Sequence, residues 1–452
     1  FKKTKMKIIF LSVIFFLTAS CNFAQLPNHN TYLLSQLDNY ASYSGLWGYV
    51  APDNREYALL GCFNGTSIVD ITDSSDIHEV DFITGVGSGW REIKTYSHYA
   101  YVVSEGTNSR LQIIDLQHLP DSVSLVTTWN YSGYTYTHAI SQSGPYLYLS
   151  GGNACANGGV QIIDVTNPTA PIRRGSNTPR YVHDVRLQED TIWACNISNQ
   201  KVSIINAGNK DNISEIRNFN TLDQAPHNCA ITNDRNYLYV THENQNPGKL
   251  EIWDIHDIQN ITFVRNWQPT GITTSIIHNI EIYDNFAFIA HYTSGIRILN
   301  LDDPSNPVEV AWYDTRPQDN SNNYSGCWAV YKFPSGKIIG SDIANGLFVI
   351  KTTVLTNVVN SNLKLTDFSL SQNYPNPFNP ETVISYQLAV NSHAVMKVFD
   401  VLGNLVETLV NQKLATGKYS VKFDGTNLHS GIYFYKLEAG SFSKVMKMAL
   451  IK

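Results

Sequence analysis

Charge is scarce in this chain. Asp, Glu, Lys and Arg make up 15% of its 452 residues, and the net charge is −6. No basic stripe is available to follow a phosphate backbone, which excludes duplex nucleic acid as a partner. Long apolar runs are lacking as well. The longest, residues 8–17 (IIFLSVIFFL), has ten residues and is too short to span a bilayer as a helix. Cys-x-x-Cys does not occur, so a zinc ribbon is excluded. Gly-x-Ser-x-Gly, the nucleophile elbow of serine hydrolases, is absent too.

What is present is aromatic and strand-forming. Phe, Trp and Tyr supply 12% of the chain and Tyr alone occurs 26 times, a composition suited to half-buried pleated surfaces. Lys2, Lys3, Lys5 and Lys7 precede the apolar run, with Met6 among them as a candidate start. This is the layout of a signal peptide over residues 1–24. Cleavage after Ala24 leaves Gln25. Cleavage before Cys21 would make a lipoprotein, although Thr18 stands where that signal prefers Leu, Val or Ile. No segment of the mature chain is apolar enough to cross a membrane. Five cysteines then remain (Cys62, Cys155, Cys195, Cys229 and Cys327), an odd number that leaves at least one thiol unpaired after export.

An apolar run ending mostly in Asp or Asn recurs seven times. It reads SIVDIT, LQIIDL, VQIIDV, VSIINA, LEIWDI, IRILNL and LFVIKT, from residues 67, 111, 160, 202, 250, 296 and 347. An alternating, aromatic-rich strand precedes each copy, as in YAYVVS (99–104) and FAFIAH (286–291). A third short strand lies further upstream. It places Trp47, Arg91, His138, His183, His227, His278 and Trp328 at equivalent positions, with spacings of 44, 47, 45, 44, 51 and 50. Such a period, with several strands per repeat, predicts a β-propeller of seven blades. A fourth strand follows most copies but not the last. Residues 32–40 (YLLSQLDNY) are the matching segment, so the N-terminal strand is expected to complete the last blade and close the ring over 31–356. On that map Cys195 and Cys229 lie on adjacent blades, as do Cys62 and Cys327, and either pair is a candidate disulfide.

The SIVDIT and IIDV segments resemble LVIVD repeats. The run of GLWGY (45–49), GTSIVDITD (65–73), WREIKTYSHYAYVV (90–103) and SGCWAVYKFPSGKIIGSDIANGLFVI (325–350) is similar to the bacterial "choice-of-anchor B" proteins. That resemblance implies a surface or secreted location and little about activity. Residues 352–367 are polar, and 357–369 read as a linker. From residue 370 the composition changes: NYPNPFNP (373–380), VFDVLGNLV (398–406), SGIYFYKL (430–437) and a lysine-bearing last strand resemble the C-terminal sorting domain of type IX secretion. The resemblance implies a small immunoglobulin-like β-sandwich, the type IX machinery as a partner, and export across both membranes to the surface or the medium. The fold class is therefore all-β: a seven-bladed propeller followed by a β-sandwich.

Chemistry is expected at one mouth of the propeller channel. The starts of first strands and the ends of second strands share that face. The first set gives Trp47, Trp90, Arg91, His138, His183, Asp184, His227, Asn228, His278, Asn279 and Trp328. The second gives Glu105, Asn153, Asn196, His242, Glu243, His291 and Asp342. Six of the 13 histidines fall there. Three readings stay open. The histidines can be repeat residues that bond the backbone of the next blade. Several, among His138, His183, His227, His278, His242 and His291 with Glu243, can share a divalent transition metal. The tryptophans and Arg91 can instead line a pocket for an organic ligand. A binding module is the leading function; a metal-dependent oxidoreductase or hydrolase at the histidine-rich mouth is the alternative. Pairs such as Asp302 and Asp303 with Asn306 lack the glycine and distal glutamate of a calcium loop and are expected to cap turns.

Overall fold

The computed structural model describes residues 27–244, 248–355, 368–373, 375–388, 390, 392–414, 417–440 and 442–452. The signal peptide and most of the linker lie outside the described residues. Those described form two compact units, one on each side of residue 356.

The first unit is a ring of seven antiparallel sheets. In chain order, the inner strands of blades 1 to 7 are Tyr43–Val50, Arg91–Tyr96, Ala139–Ser143, Asp184–Gln188, Pro226–Ile231, Ile280–Tyr283 and Cys327–Lys332. Each is followed by two strands buried along almost their whole length. Blades 1 to 6 add a more exposed outer strand of their own. The core is therefore a set of apolar layers between blades, such as Ile114, Val102 and Leu59 between blades 1 and 2.

The Asp or Asn of each repeat has a physical role. At the end of the third strand its side chain accepts a hydrogen bond from the backbone N–H two residues on. This holds for Asp70, Asp115, Asp164, Asn206, Asp254 and Asn300, at 2.7–2.9 Å. A second turn of the same kind follows at Asp73, Asn167, Asn209, Asp257 and Asp303. Two successive Asx turns reverse the chain towards the outer strand. Of the pair read as turn caps, Asp303 is one, whereas Asp302 accepts from the side chains of Asn285 and Asn300.

Closure follows the missing strand. Thr31–Leu37 pairs antiparallel with Gly346–Thr352, with Leu33 opposite Ile350 and Leu37 opposite Leu347. Just before it, Asn28–His29 pairs with the outer strand of blade 6, and the His29 ring stacks on Trp312 at 4.6 Å.

All five mature cysteines are buried free thiols. Neither expected disulfide is formed. The sulfurs of Cys62 and Cys327 face carbonyls of their own strands, Leu60 and Ala329, at 3.7 Å.

The second unit is a β-sandwich. One sheet holds Ser369–Leu370, Glu381–Leu388 and Gly417–Asp424. The other holds Leu405–Leu414, Ser392–Phe399, Gly431–Ala439 and Phe442–Leu450. The alternation of Glu381–Leu388, exposed and buried in turn, packs Ile384, Tyr386 and Leu388 against Met396, Val398, Tyr435 and Met448.

Candidate functional site

Four histidines stand where blades 3 to 6 begin, one or two residues ahead of the inner strand or, for His227, at its second residue. Ring rotation from blade to blade brings them into an arc. Centroids are 4.1 Å apart for His138 and His183, 4.1 Å for His183 and His227, and 4.4 Å for His227 and His278. Trp328 continues the arc in blade 7, its ring 4.8 Å from His278. These side chains enclose a cavity of about 20 Å³, space for one water or one ion. Glu92, Asp184, Glu243 and Asn279 complete its wall, and Trp90, 46% exposed, forms the rim.

The partners of each ring set its protonation. His278 Nδ1 lies 2.5 Å from the carbonyl oxygen of Trp328. A carbonyl only accepts, so the proton is on Nδ1 and Nε2 presents a lone pair. That Nε2 is 3.7 Å from Glu243 Oε1. The backbones of His227 and His278 lie against the rings of His183 and His227 in the same sense, each at the next blade. The Nδ1 atoms of His183 and His227 nevertheless close no well-aligned hydrogen bond. His227 Nε2 is 3.5 Å from Glu243 Oε2. Burial, then the neighbouring imidazoles, pushes His183 and His227 well below the ordinary histidine value. Burial takes His278 down to about 3. Burial would also depress His138, but Glu105, 2.7 Å from its Nδ1, outweighs that and raises it. Glu243 is raised by burial, against the Tyr292 hydroxyl, which donates to Oε1 at 2.5 Å.

Below the arc the channel is lined by charge. Trp328 Nε1 donates to Glu92 at 3.2 Å. Asn228 donates to Asp184. Lys94 Nζ sits 3.4 Å over the Trp47 ring. Arg186 donates at 2.8 Å to each of three acceptors: Glu281, the Cys229 carbonyl and the Ile280 carbonyl.

Several expected mouth residues are elsewhere. Trp47 is not equivalent to the histidines. It pairs with Leu59 as Lys94 pairs with Tyr101, which puts it deeper in the channel beside Lys94. Arg91 turns away from the cavity and lies buried between blades 1 and 2, bonding the Cys62 and Val86 carbonyls at 3.2 and 2.8 Å. Asp342 is fully buried and caps its own turn, accepting from the backbone of Ala344 and Asn345 at 3.0 Å. His242 bonds the Gln224 carbonyl at 2.9 Å and faces Glu251 at 3.4 Å. His291 meets Ser275 and Ser294 at 3.1 and 2.9 Å. Second-strand ends therefore stay one strand away from the axis, and only Glu243, in the loop beyond, reaches it. Glu92 and Tyr292 were not among the expected residues. Glu92 was legible, because it follows Arg91 as Asp184 follows His183 and Asn279 follows His278.

His291 gives a pH test of the outer histidines. Burial, then the nearby Arg297, brings it down to about 3. Its folded value thus lies below that of the unfolded chain. The stability it contributes is complete above about pH 6.5 and is lost as pH falls from there towards 3, of order 5 kcal/mol at the limit. His291→Gln should flatten the acid limb of the urea midpoint between pH 7 and 4. Equal slopes in parent and variant would reject this.

Two family models match the chain: the LVIVD repeat at residues 135–178 and 277–315, and the secretion system C-terminal sorting domain at 372–452. The tail marks the chain for export by type IX secretion to the cell surface or beyond. Among the described residues no helix is long and apolar enough to cross a membrane. No curated protein matches in sequence. Among solved structures the chain is similar to PorZ, a surface component of the type IX secretion system of Porphyromonas gingivalis. Identity there is 13% over 92% of this chain and 60% of PorZ, with a TM-score of 0.46, so the match spans less than two thirds of PorZ. The periplasmic gluconolactonase PpgL of Pseudomonas aeruginosa is 12% identical over 61% of this chain and 86% of its own, with a TM-score of 0.48. A Lactobacillus plantarum protein is 10% identical over 80% and 96%, with a TM-score of 0.49.

Proposed function

We infer that this chain, an LVIVD-repeat propeller carrying a type IX sorting domain, works outside the cell as a binding module, with the channel mouth as its binding site. One observation carries the reading. The mouth gathers four imidazoles, Glu92, Asp184 and Glu243 around one small cavity beneath an exposed tryptophan. Glu105 adds a further carboxylate behind His138. Elsewhere, the polar groups at the second-strand ends bond mainly within the protein. The size of the cavity limits what enters it to an ion, or to a single group inserted by a larger ligand that rests on Trp90.

The test is the melting temperature of the full chain against a panel of divalent cations, ammonium compounds, amino acids and sugars. A ligand present at 100 times its Kd adds about 2.7 kcal/mol to the stability of the folded state, a shift of a few degrees. At least one ligand should shift the parent and leave His183→Ala and Trp90→Ala unmoved. A panel without effect, or a shift that survives both substitutions, overturns the reading.

A further inference from the structure

We propose that His183, His227 and Glu243 hold one divalent transition-metal ion of the zinc class, with His278 Nε2 as a fourth donor. The proposal rests on the mouth being the binding site, and it names what binds there.

The first argument is tautomeric. His278 gives its only proton to the Trp328 carbonyl. Its Nε2 lone pair then faces a Glu243 oxygen at 3.7 Å. Two electron-rich atoms at that distance repel unless a proton or a cation lies between them. His227 Nε2 faces the other Glu243 oxygen at 3.5 Å. One carboxylate therefore points both oxygens at imidazole nitrogens, and among the described residues Tyr292 donates to it.

The second argument is geometric. Ligand atoms around a four-coordinate zinc at 2.0–2.1 Å stand about 3.3 Å from one another. The two His–Glu243 distances are within a few tenths of an ångström of that. Ligand atoms of His183, His227 and Glu243 all lie within 4.8 Å of one another, so contraction on binding is a side-chain adjustment. The rings of His183 and His227 are buried, at 8% and 3% exposure. The backbone of the next blade behind each ring orients it, as outer-shell acceptors do for metal-bound histidine.

The third argument is charge. The carboxylates in and around the channel are Glu92, Glu105, Asp184, Glu243 and Glu281, and the cations facing them are Lys94, Arg186 and the Glu105-bound His138. These carboxylates outnumber the cations facing them, which suits the lining to a cation. His138 is tied to Glu105 and belongs to the wall rather than to the donor set. Imidazole with one carboxylate selects zinc, cobalt, nickel or copper. Calcium and magnesium prefer all-oxygen shells, which imidazole nitrogens do not supply.

The full chain, stripped with EDTA and desalted, is titrated with Zn²⁺ or Co²⁺, and bound metal is counted by mass spectrometry. One ion per chain is expected. Co²⁺ should show the visible bands of a low-coordinate nitrogen–oxygen site, and equal Mg²⁺ or Ca²⁺ should not displace it. His227→Ala and Glu243→Gln should each weaken binding by about 100-fold or more, while His256→Ala, exposed on an outer loop, changes nothing. Glu243→Gln keeps the side-chain shape and carries the test if His227→Ala fails to fold. A parent that takes up none of Zn²⁺, Co²⁺, Ni²⁺ or Cu²⁺ stoichiometrically, or an affinity that survives Glu243→Gln, overturns the proposal. If the metals fail while an organic ligand still stabilises the chain through the same mouth, only the metal assignment falls.

Discussion

A chain that begins at residue 38, without the closing strand, should lose its single sharp unfolding transition and associate into larger species. Thr31–Leu37 supplies the outer strand of blade 7, and nothing else in the ring can replace it. Its removal breaks the ladder with Gly346–Thr352. It also strips Leu34 and Leu37 from the apolar layer that joins blades 7 and 1. The same segment ties two blades. Asn30 donates to the Val310 carbonyl of blade 6 at 2.8 Å, and its own carbonyl accepts from Thr352 and Thr353 of blade 7. Several ladder bonds, at about 1 kcal/mol each, and the packing of two half-buried leucines, about 1 kcal/mol each, together approach the lower end of the net stability of a typical domain, about 5–15 kcal/mol. The freed edge of Gly346–Thr352 then offers unpaired N–H and C=O groups to another chain. Calorimetry and light scattering on the truncated full-length tail variant test this. A monomer melting within a few degrees of the parent would show that closure does not depend on this strand.

The number of blades and the way the ring closes were readable because they are written in local chemistry. The third strands of blades 1 to 6 each end in a side chain that makes an Asx turn, so the repeat announces itself in sequence. The absent fourth strand after Ile350 had one possible substitute. The mouth was readable only in part. Its four histidines lie at one register position, which spacing alone reveals. The residues lost in translation failed for two physical reasons. Blade 1 carries a bulge between Tyr43 and Leu46, so matching Trp47 to the histidines by residue type missed the true register, where Ser44 is the counterpart. Direction failed as well. Adjacent residues of a strand face opposite sides, so Glu92 points into the channel while Arg91, next to it, points between blades. Position along the chain placed His242, His291 and Asp342 on the right face of the disc. It carried no information on radius, and a second strand stands one strand further from the axis than the first.

Arg186→Met should lower the stability of the propeller by roughly 2–4 kcal/mol, more than any exposed ion pair could account for. Arg186 extends from blade 4 across the channel. It meets the Cys229 carbonyl of blade 5 and both the Ile280 carbonyl and the Glu281 carboxylate of blade 6. Its planar fork serves three acceptors at once, which a lysine ammonium in the same place cannot match in direction. Methionine fills the same volume, so the loss is one of polar partners rather than of packing. The Glu281 carboxylate, 15% exposed, is left without its ion-pair partner, and two buried carbonyls lose a donor. The guanidinium itself is 24% exposed to the channel, and water entering there keeps the loss below that of a dry pair. Two further variants separate charge from geometry. Arg186→Lys should recover less than half of the loss, because it restores the charge and not the fork. Pairing Arg186→Met with Glu281→Gln should cost less than the sum of the two single changes by 1 kcal/mol or more, since the second substitution removes the stranded charge. Urea midpoints of the parent, the three single variants (Arg186→Met, Arg186→Lys and Glu281→Gln) and the double variant measure all of this. If Arg186→Met falls within 0.5 kcal/mol of the parent, the three-blade staple contributes nothing measurable and the channel charges are held by water alone.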